Sequence, residues 1–368
     1  MNKWIFCYLL LFIAGTVSTL LLTPLFRIIA AKAGFMDVPA NNHKGHKKAT
    51  PLLGGLSLYT GWALCILSGI IVYKFNLLPA SLSSCMEHLP GLIGSAKPIL
   101  FILIGATLAM LLGLIDDKIP MSASVKFAGQ FLIALLAVLG GNLRLNLFIG
   151  VDWIAASVTV FWLMLLMNSI NFFDNMDGLA IGTMTIAMAF FSVVAALNNQ
   201  YFIASFAALT TGVYVGFWFY NANPASIFMG DSGSHFIGYL GAVVSAEITF
   251  FDINYSLSRF PILLPFFILA LPLFDTFMVV MIRTLNKKPF WIGDHNHISH
   301  RFVKMGLTRK QAVLLVHLLA LTIGLGSLPV FWGDFKTAAI LTVQAFLVLL
   351  VVTILQITLG NKSDTREK

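Results

Sequence analysis

Two neighbouring carboxylates, Asp116 and Asp117, close a long apolar run in Gly113-Leu114-Ile115-Asp116-Asp117-Lys118. Carboxylates this close repel, so one holds its proton or a cation is drawn in. The chemistry on offer is divalent-metal binding or general-base work, against the plain alternative of a solvated turn. A second acidic set lies in Asn171-Phe172-Phe173-Asp174-Asn175-Met176-Asp177-Gly178. Asn171, Asp174 and Asp177 are spaced by three, and one helical turn would align them on one face. Such a stripe is costly beside hydrocarbon unless it lines a wet cavity; Asp177 alone could instead cap the following helix. A third set, Phe228-Met229-Gly230-Asp231-Ser232-Gly233, comes after Asn221 and opens an apolar helix. Its glycines let a ligand approach the backbone, and the N–H groups of a helix start suit a phosphate or a metal–phosphate pair. A simple N-cap by Asp231 or Ser232 is the competing reading.

Basic groups supply the counterpart. His295-Asn296-His297-Ile298-Ser299-His300-Arg301 follows a segment with Arg283, Lys287 and Lys288. His297 and His300 stand three apart, but no cysteine or glutamate completes a zinc shell. Neutralising a diphosphate is the better use of these groups. The segment from His43 to Gly55, with His46 and Lys48, ends in a Pro51-Leu52-Leu53-Gly54-Gly55 turn; it suits anionic lipid head groups or the steering of a nucleotide. Acidic groups for a cation and basic groups for phosphate together fit phosphoryl transfer, in which charge neutralisation and positioning do most of the work.

The elements that must hold these groups are membrane helices. Of 368 residues 58% are hydrophobic and 10% charged, against roughly 25% charged in a soluble domain. About 20 apolar residues cross a bilayer core, and eleven such stretches are expected, at 4–29, 51–73, 98–115, 124–140, 151–170, 179–197, 201–220, 233–251, 260–282, 311–332 and 336–359. The runs are continuous rather than alternating, which excludes the β-barrel, the other architecture open to a lipid-embedded chain. Lys3 to Arg27 reads as a retained span rather than a signal peptide. Cys7, Cys65 and Cys85 show no ligand spacing. The net charge of +8 sits in short loops rather than on one amphipathic face, so it indicates no nucleic-acid partner. By the positive-inside rule the loops rich in Lys and Arg are cytoplasmic, which places the N-terminus outside and the C-terminus inside. All the chemistry-bearing clusters fall on that cytoplasmic side. The expectation is an all-α polytopic membrane protein with a single catalytic domain over 1–368, whose site is built by loops 31–50, 116–125, 168–178, 221–234 and 283–310.

The order Pro51-x-x-Gly54-Gly55, Asp116-Asp117, Asn171-x-x-Asp174-x-x-Asp177-Gly178, Phe228-Met229-Gly230-Asp231-Ser232-Gly233, His297-Ile298-Ser299-His300 resembles the polyprenyl-phosphate N-acetylhexosamine-1-phosphate transferases, glycosyltransferase family 4. The resemblance covers nearly the whole chain. It implies Mg²⁺-dependent transfer, with Mn²⁺ as a substitute, of N-acetylhexosamine 1-phosphate from a UDP-N-acetylhexosamine to undecaprenyl phosphate in the bacterial inner membrane, releasing UMP. Carried over by position, Asp116 and Asp117 would serve the metal or deprotonate the lipid phosphate, with Asp231 the firmest metal ligand beside Asp117. Asn221 and Phe228 would meet the uridine. Asp174 and Asp177 would organise the nucleotide and the reacting phosphates, and His297, His300, Arg283 and Arg301 would bind the diphosphate, with Asn171, His46 and Lys48 assisting substrate binding. Direct attack by the lipid phosphate is favoured over a covalent aspartyl intermediate, since one inversion needs no second site.

The His297-Ile298-Ser299-His300 form lacks the three consecutive histidines of the peptidoglycan-precursor branch, so the resemblance is to the UDP-N-acetylglucosamine branch that starts O-antigen or teichoic acid. Phospho-MurNAc-pentapeptide transfer is the rival within the class. A lipid-linked solute transporter is the rival outside it, and would place charges mid-span. Membrane lipids are implied partners, and a homodimer is left open.

Overall fold

The computed structural model describes residues 3–38, 49–75, 77, 96–145, 150–250, 260–289, 291 and 296–364. All eleven expected segments that fall among them are helical. They comprise α1 Lys3–Ala33, α2 Gly54–Lys74, α3 Ala96–Lys118, α4 Ala123–Leu135 with a π-turn to Gly140, α5 Asp152–Phe173, α6 Leu179–Leu197, α7 Tyr201–Asn221 and α8 Gly230–Glu247. They continue with a 3-10 turn from Phe260 into α9 Leu264–Ile268, then α10 Ala270–Leu285, α11 Ile298–Lys304, α12 Arg309–Ser327 and α13 Phe335–Asp364. A two-residue antiparallel pairing, Met36 opposite Pro51 and Asp37 opposite Thr50, closes the chain between α1 and α2. His46 and Lys48 lie outside the described residues.

Among the described residues nine helices are long and apolar enough to cross a bilayer. The two remaining expected spans depart from that form. The ninth is broken: α9 and α10 meet at 69°. The eighth, α8, is helical but does not reach the apolarity of the nine. Every residue from Ser232 to Ala246 in it is buried, packed against α2, α3 and α5. Its glycines, serines and His235 therefore face protein rather than lipid, and small residues are what close helix packing in a membrane selects. Outer helices show the reverse: Leu21 on α1 and Ile340 on α13 are 72% and 66% exposed, as side chains that meet acyl chains should be.

Sharp starts and stops put the loops at one end of this bundle. Ser122 caps α4, and Thr308 with Gln311 forms a capping box on α12. α1, α3, α5, α7 and α10 end where α2, α4, α6, α8 and α12 begin, and hydrogen bonds between those termini gather the polar segments there.

Candidate active site

The start of α8 is the centre of the cluster. Asp231 Oδ1 accepts from Asn171 Nδ2 at 2.8 Å, and its Oδ2 meets Lys126 Nζ at 2.6 Å. The same ammonium pairs with Asp116, whose other oxygen accepts the Met121 backbone N–H at 2.6 Å. Asn171 also donates to Ser234 Oγ at 2.9 Å. Behind this layer, His235 Nδ1 lies 2.7 Å from the Asp231 carbonyl, which can only accept, so that nitrogen carries the proton. Its Nε2 then receives Gln130 Nε2 at 2.8 Å, and Gln130 is locked to Asn168 by a bond of 2.6 Å.

Asp117 does something the sequence did not announce. Its two oxygens accept the backbone N–H groups of Asp231 at 2.7 Å and Ser232 at 3.0 Å. The cap of α8 is thus delivered from α3, and neither Asp231 nor Ser232 caps it; the N-cap position is Met229. This corrects the simple N-cap reading and gives Asp117, expected as a metal ligand, a capping role first. Gly230 fits the arrangement twice: its φ is +66°, and a Cβ there would stand 2.6 Å from Asp117 Oδ2.

The Pro51-to-Gly55 motif meets the same loop. Phe228 N–H donates to the Pro51 carbonyl at 2.8 Å, and Gly54 and Gly55 N–H donate to the Phe228 and Met229 carbonyls at 3.0 and 2.9 Å. A Cβ on Gly55 would overlap the backbone at Gly233, and one on Gly113 would overlap the backbone at Asp231. Phe228, expected at the uridine, is placed by this backbone pairing, with its ring half-buried.

The second acidic set divides. α5 ends at Phe173, so Asn171 lies in its last turn, Asp174 on its C-cap and Asp177 beyond it, not on one helical stripe. Asp177 does not cap α6 either; its Oδ2 accepts from Asn223 Nδ2 at 3.0 Å and from Ala225 N at 3.1 Å, holding the loop before α8. Asn221, also expected at the uridine, is buried and bridges the Gly178 N–H at 3.1 Å to the Ile227 carbonyl at 2.9 Å. Asp174 is different: its carboxylate takes no hydrogen bond among the described residues. Burial, with the charges of Asp231, Asp117 and Asp177, pushes it up to about 8.

The basic bank closes the other side. Asn175 Oδ1 accepts Ser299 Oγ–H at 2.5 Å, tying α11 to the loop of Asp174. Arg283 is buried with its guanidinium 5.3 Å from the Phe172 ring centre. The rings of His297 and His300 stand 6.3 Å apart. Arg301 carries two buried nitrogens, Nε and Nη2, without an acceptor among the described residues. The Ser299–Asn175 bond and the Arg283–Phe172 contact bring this basic segment against the turn that carries Asp174.

Comparison with known proteins identifies the family. A profile of glycosyl transferase family 4 matches residues 99–249. Over 357 residues the chain is 31% identical to a Bacillus subtilis (strain 168) protein named "Probable undecaprenyl-phosphate N-acetylglucosaminyl 1-phosphate transferase", spanning 94% of this chain and 89% of the relative. The chain belongs to glycosyl transferase family 4. A decaprenyl-phosphate N-acetylglucosaminephosphotransferase of Mycolicibacterium smegmatis (strain ATCC 700084 / mc(2)155) is 29% identical over 379 residues, covering 96% of this chain and 90% of its own. A phospho-N-acetylmuramoyl-pentapeptide-transferase of Bacillus thuringiensis (strain Al Hakam) is 30% identical over 248 residues, covering 62% and 70%.

For a family 4 transferase the donor set suits a hard cation. Asp174 and Asp231 offer carboxylate oxygens, and the Lys126 ammonium that pairs with Asp116 and Asp231 does not balance the acidic cluster of Asp116, Asp117 and Asp231. Among the described residues no three His, Cys, Asp or Glu gather into a ready cage. A cation held by one or two carboxylates and completed by phosphate oxygens and water is the usual habit of Mg²⁺. Several residues of this family 4 site escaped the sequence reading. In the sequence Lys126 is one more basic residue of a loop, and Asp275, His235, Gln130 and Asn175 stand out by no motif. Asp275 alone carried a signal, a carboxylate inside an apolar run.

Proposed function

We propose that this chain transfers N-acetylglucosamine 1-phosphate, or a closely related N-acetylhexosamine 1-phosphate, from its UDP-sugar to undecaprenyl phosphate, at the cytoplasmic face of the bacterial inner membrane. An oxygen of the lipid phosphate attacks the sugar-bearing phosphorus; the bond to the bridging oxygen breaks, and UMP leaves with the electron pair. The observation that carries this reading is the meeting of a cation-seeking acidic group with a buried imidazole and guanidinium bank at one end of an apolar bundle. The names of the Bacillus subtilis and Mycolicibacterium relatives support the acetylglucosamine donor.

Asp231 and Asp174 would hold Mg²⁺, with Mn²⁺ a workable replacement; the metal supplies charge neutralisation on the diphosphate. Asn171 orients Asp231, and Lys126 keeps Asp116 and Asp231 together. Asp117 fixes the start of α8, and with it the loop from Asn221 to Phe228 that receives the nucleotide. His297, His300, Arg283 and Arg301 stand ready for diphosphate oxygens, where guanidinium and imidazole give charge-assisted hydrogen bonds.

The test is a reconstituted assay with purified protein, Mg²⁺, radiolabelled UDP-N-acetylglucosamine and undecaprenyl phosphate. Lipid-linked N-acetylglucosamine with one UMP per turnover is expected, and no lipid-linked product from any UDP-N-acetylhexosamine overturns the proposal. UDP-MurNAc-pentapeptide in competition distinguishes the peptidoglycan precursor; it should neither react nor inhibit.

A further inference from the structure

The broken ninth span carries one carboxylate, Asp275, in the apolar sequence Ala270-Leu271-Pro272-Leu273-Phe274-Asp275-Thr276-Phe277. It is 0% exposed, and both oxygens are engaged: Oδ2 lies 2.7 Å from His297 Nδ1, and Oδ1 accepts the Ile298 backbone N–H at 2.6 Å. A buried carboxylate is costly unless paired, so its retention among apolar neighbours calls for a use. Starting the short helix α11 does not require one, because a serine or aspartate on the chain just before the helix would cap it at no burial cost. What only the far carboxylate supplies is the contact to His297.

That contact has a definite chemical content. An ionised carboxylate is acceptor only, so the imidazole must present Nδ1–H to it, leaving Nε2 as the nitrogen offered elsewhere. Among the described residues the ring is held at Nδ1 alone. Asp275 faces it from α10, His300 and Arg301 are its charged or titratable neighbours on α11, and from α13 the neutral Gln356 Nε2 donates to the Ile298 carbonyl at 3.1 Å. Ser299 Oγ fixes the next turn to Asn175. His297 Nε2 makes no hydrogen bond to a described residue.

We propose that Asp275 is a positioning residue: it holds His297 in the Nδ1–H form and aims Nε2 at the bound diphosphate, where that nitrogen alone exchanges a proton with a phosphate oxygen. This rests on the transfer reaction proposed above. The Asp275→Asn substitution isolates the effect, because its single oxygen can still accept from Ile298 N–H while its amide NH₂ faces Nδ1. His297 must then become an acceptor at Nδ1 and carry its proton on Nε2.

The experiment uses the full chain in detergent, ¹⁵N-labelled at histidine, with His297→Gln assigning the signal. The wild type is expected to give the Nδ1–H pattern, and Asp275→Asn the Nε2–H pattern. In the transfer assay Asp275→Asn should lower kcat about a hundredfold or more, as wrong-tautomer variants do, with KM for the UDP-sugar within a few-fold, and should alter the pH profile of kcat. In the His297→Gln background Asp275→Asn should cost nothing further. A wild-type Nε2–H signal, an unmoved kcat and pH profile in Asp275→Asn, or full additivity with His297→Gln overturns the proposal. If Asp275→Asn fails to fold, Asp275→Glu and the wild-type tautomer decide it. Loss of all lipid-linked product in the wild type would sink the transfer reaction, while the ¹⁵N readout would still judge the pair.

Discussion

Removing Asp117 separates a cap from a chemical group. Its carboxylate receives two backbone N–H groups at the start of α8, at 2.7 and 3.0 Å. Hydrogen bonds to a charged acceptor contribute about 1.5–3 kcal/mol each, and N-cap loss costs about 1 kcal/mol at exposed sites. Asp117→Ala deletes both, so the gross cost is roughly 3–5 kcal/mol. Two effects offset it: the carboxylates of Asp231 and Asp174 lose a repelling neighbour, and water from the polar site can reach the freed donors. A net loss of about 2–3 kcal/mol remains, with Asp117→Asn, which keeps one acceptor, near half of that. At about 2–4 °C per kcal/mol for a chain of this order, Asp117→Ala should melt several degrees below the wild type, with Asp117→Asn between them. The assay is thermal unfolding in detergent without substrates or metal, so that catalysis plays no part. An Asp117→Ala protein that melts with the wild type yet has lost turnover would refute the capping argument and return Asp117 to a purely chemical role.

Four further outcomes follow from the same geometry. Asp174, held up to about 8 by burial and its acidic neighbours, binds more protons in the folded than in the unfolded chain between about pH 4 and 8. Stability of the metal-free protein should therefore fall as pH rises through that window. Mg²⁺ binding, followed by calorimetry, should strengthen about tenfold per unit up to about pH 8 and then level off, and Asp174→Asn should flatten that dependence. Gly55→Ala would press a methyl into the Gly233 backbone, and overpacking of this kind costs about 1–3 kcal/mol; a melting temperature equal to wild type would contradict the close packing described. Ser299→Ala and Asn175→Ala should each cost about 1–2 kcal/mol, and, since Asn175 also donates to the Phe172 carbonyl, the double variant no more than Asn175→Ala alone, read as a melting-temperature cycle.

The helices were legible in the sequence because lipid imposes length and apolarity on each one separately. That rule also explains where the reading slipped. α8 was expected as an ordinary span, yet its surroundings are protein, and the ninth span hides a 69° break that no local residue count reveals. The five motifs were legible as sets, because polar groups beside hydrocarbon stand out. Their internal roles were not, because each is decided by a partner far along the chain. Asp117 caps a helix 114 residues later, Lys126 meets Asp231 across 105, and Asp275 meets His297 across 22. Asn171, Asp174 and Asp177 looked like one stripe only while α5 was assumed to continue past Phe173.

The enclosure of α8 bears on how the protein is made. A segment bearing Asp231, His235, three serines and four glycines partitions poorly into lipid by itself, so the translocation machinery has little reason to release it into the bilayer alone. Its residence becomes favourable only once α2, α3 and α5, all synthesised earlier, stand ready to receive it, with Asp117 waiting to satisfy its first N–H groups. The site and the order of synthesis are thus linked: the loop that carries Asp231 is assembled when a helix that lipid rejects is accepted by its neighbours.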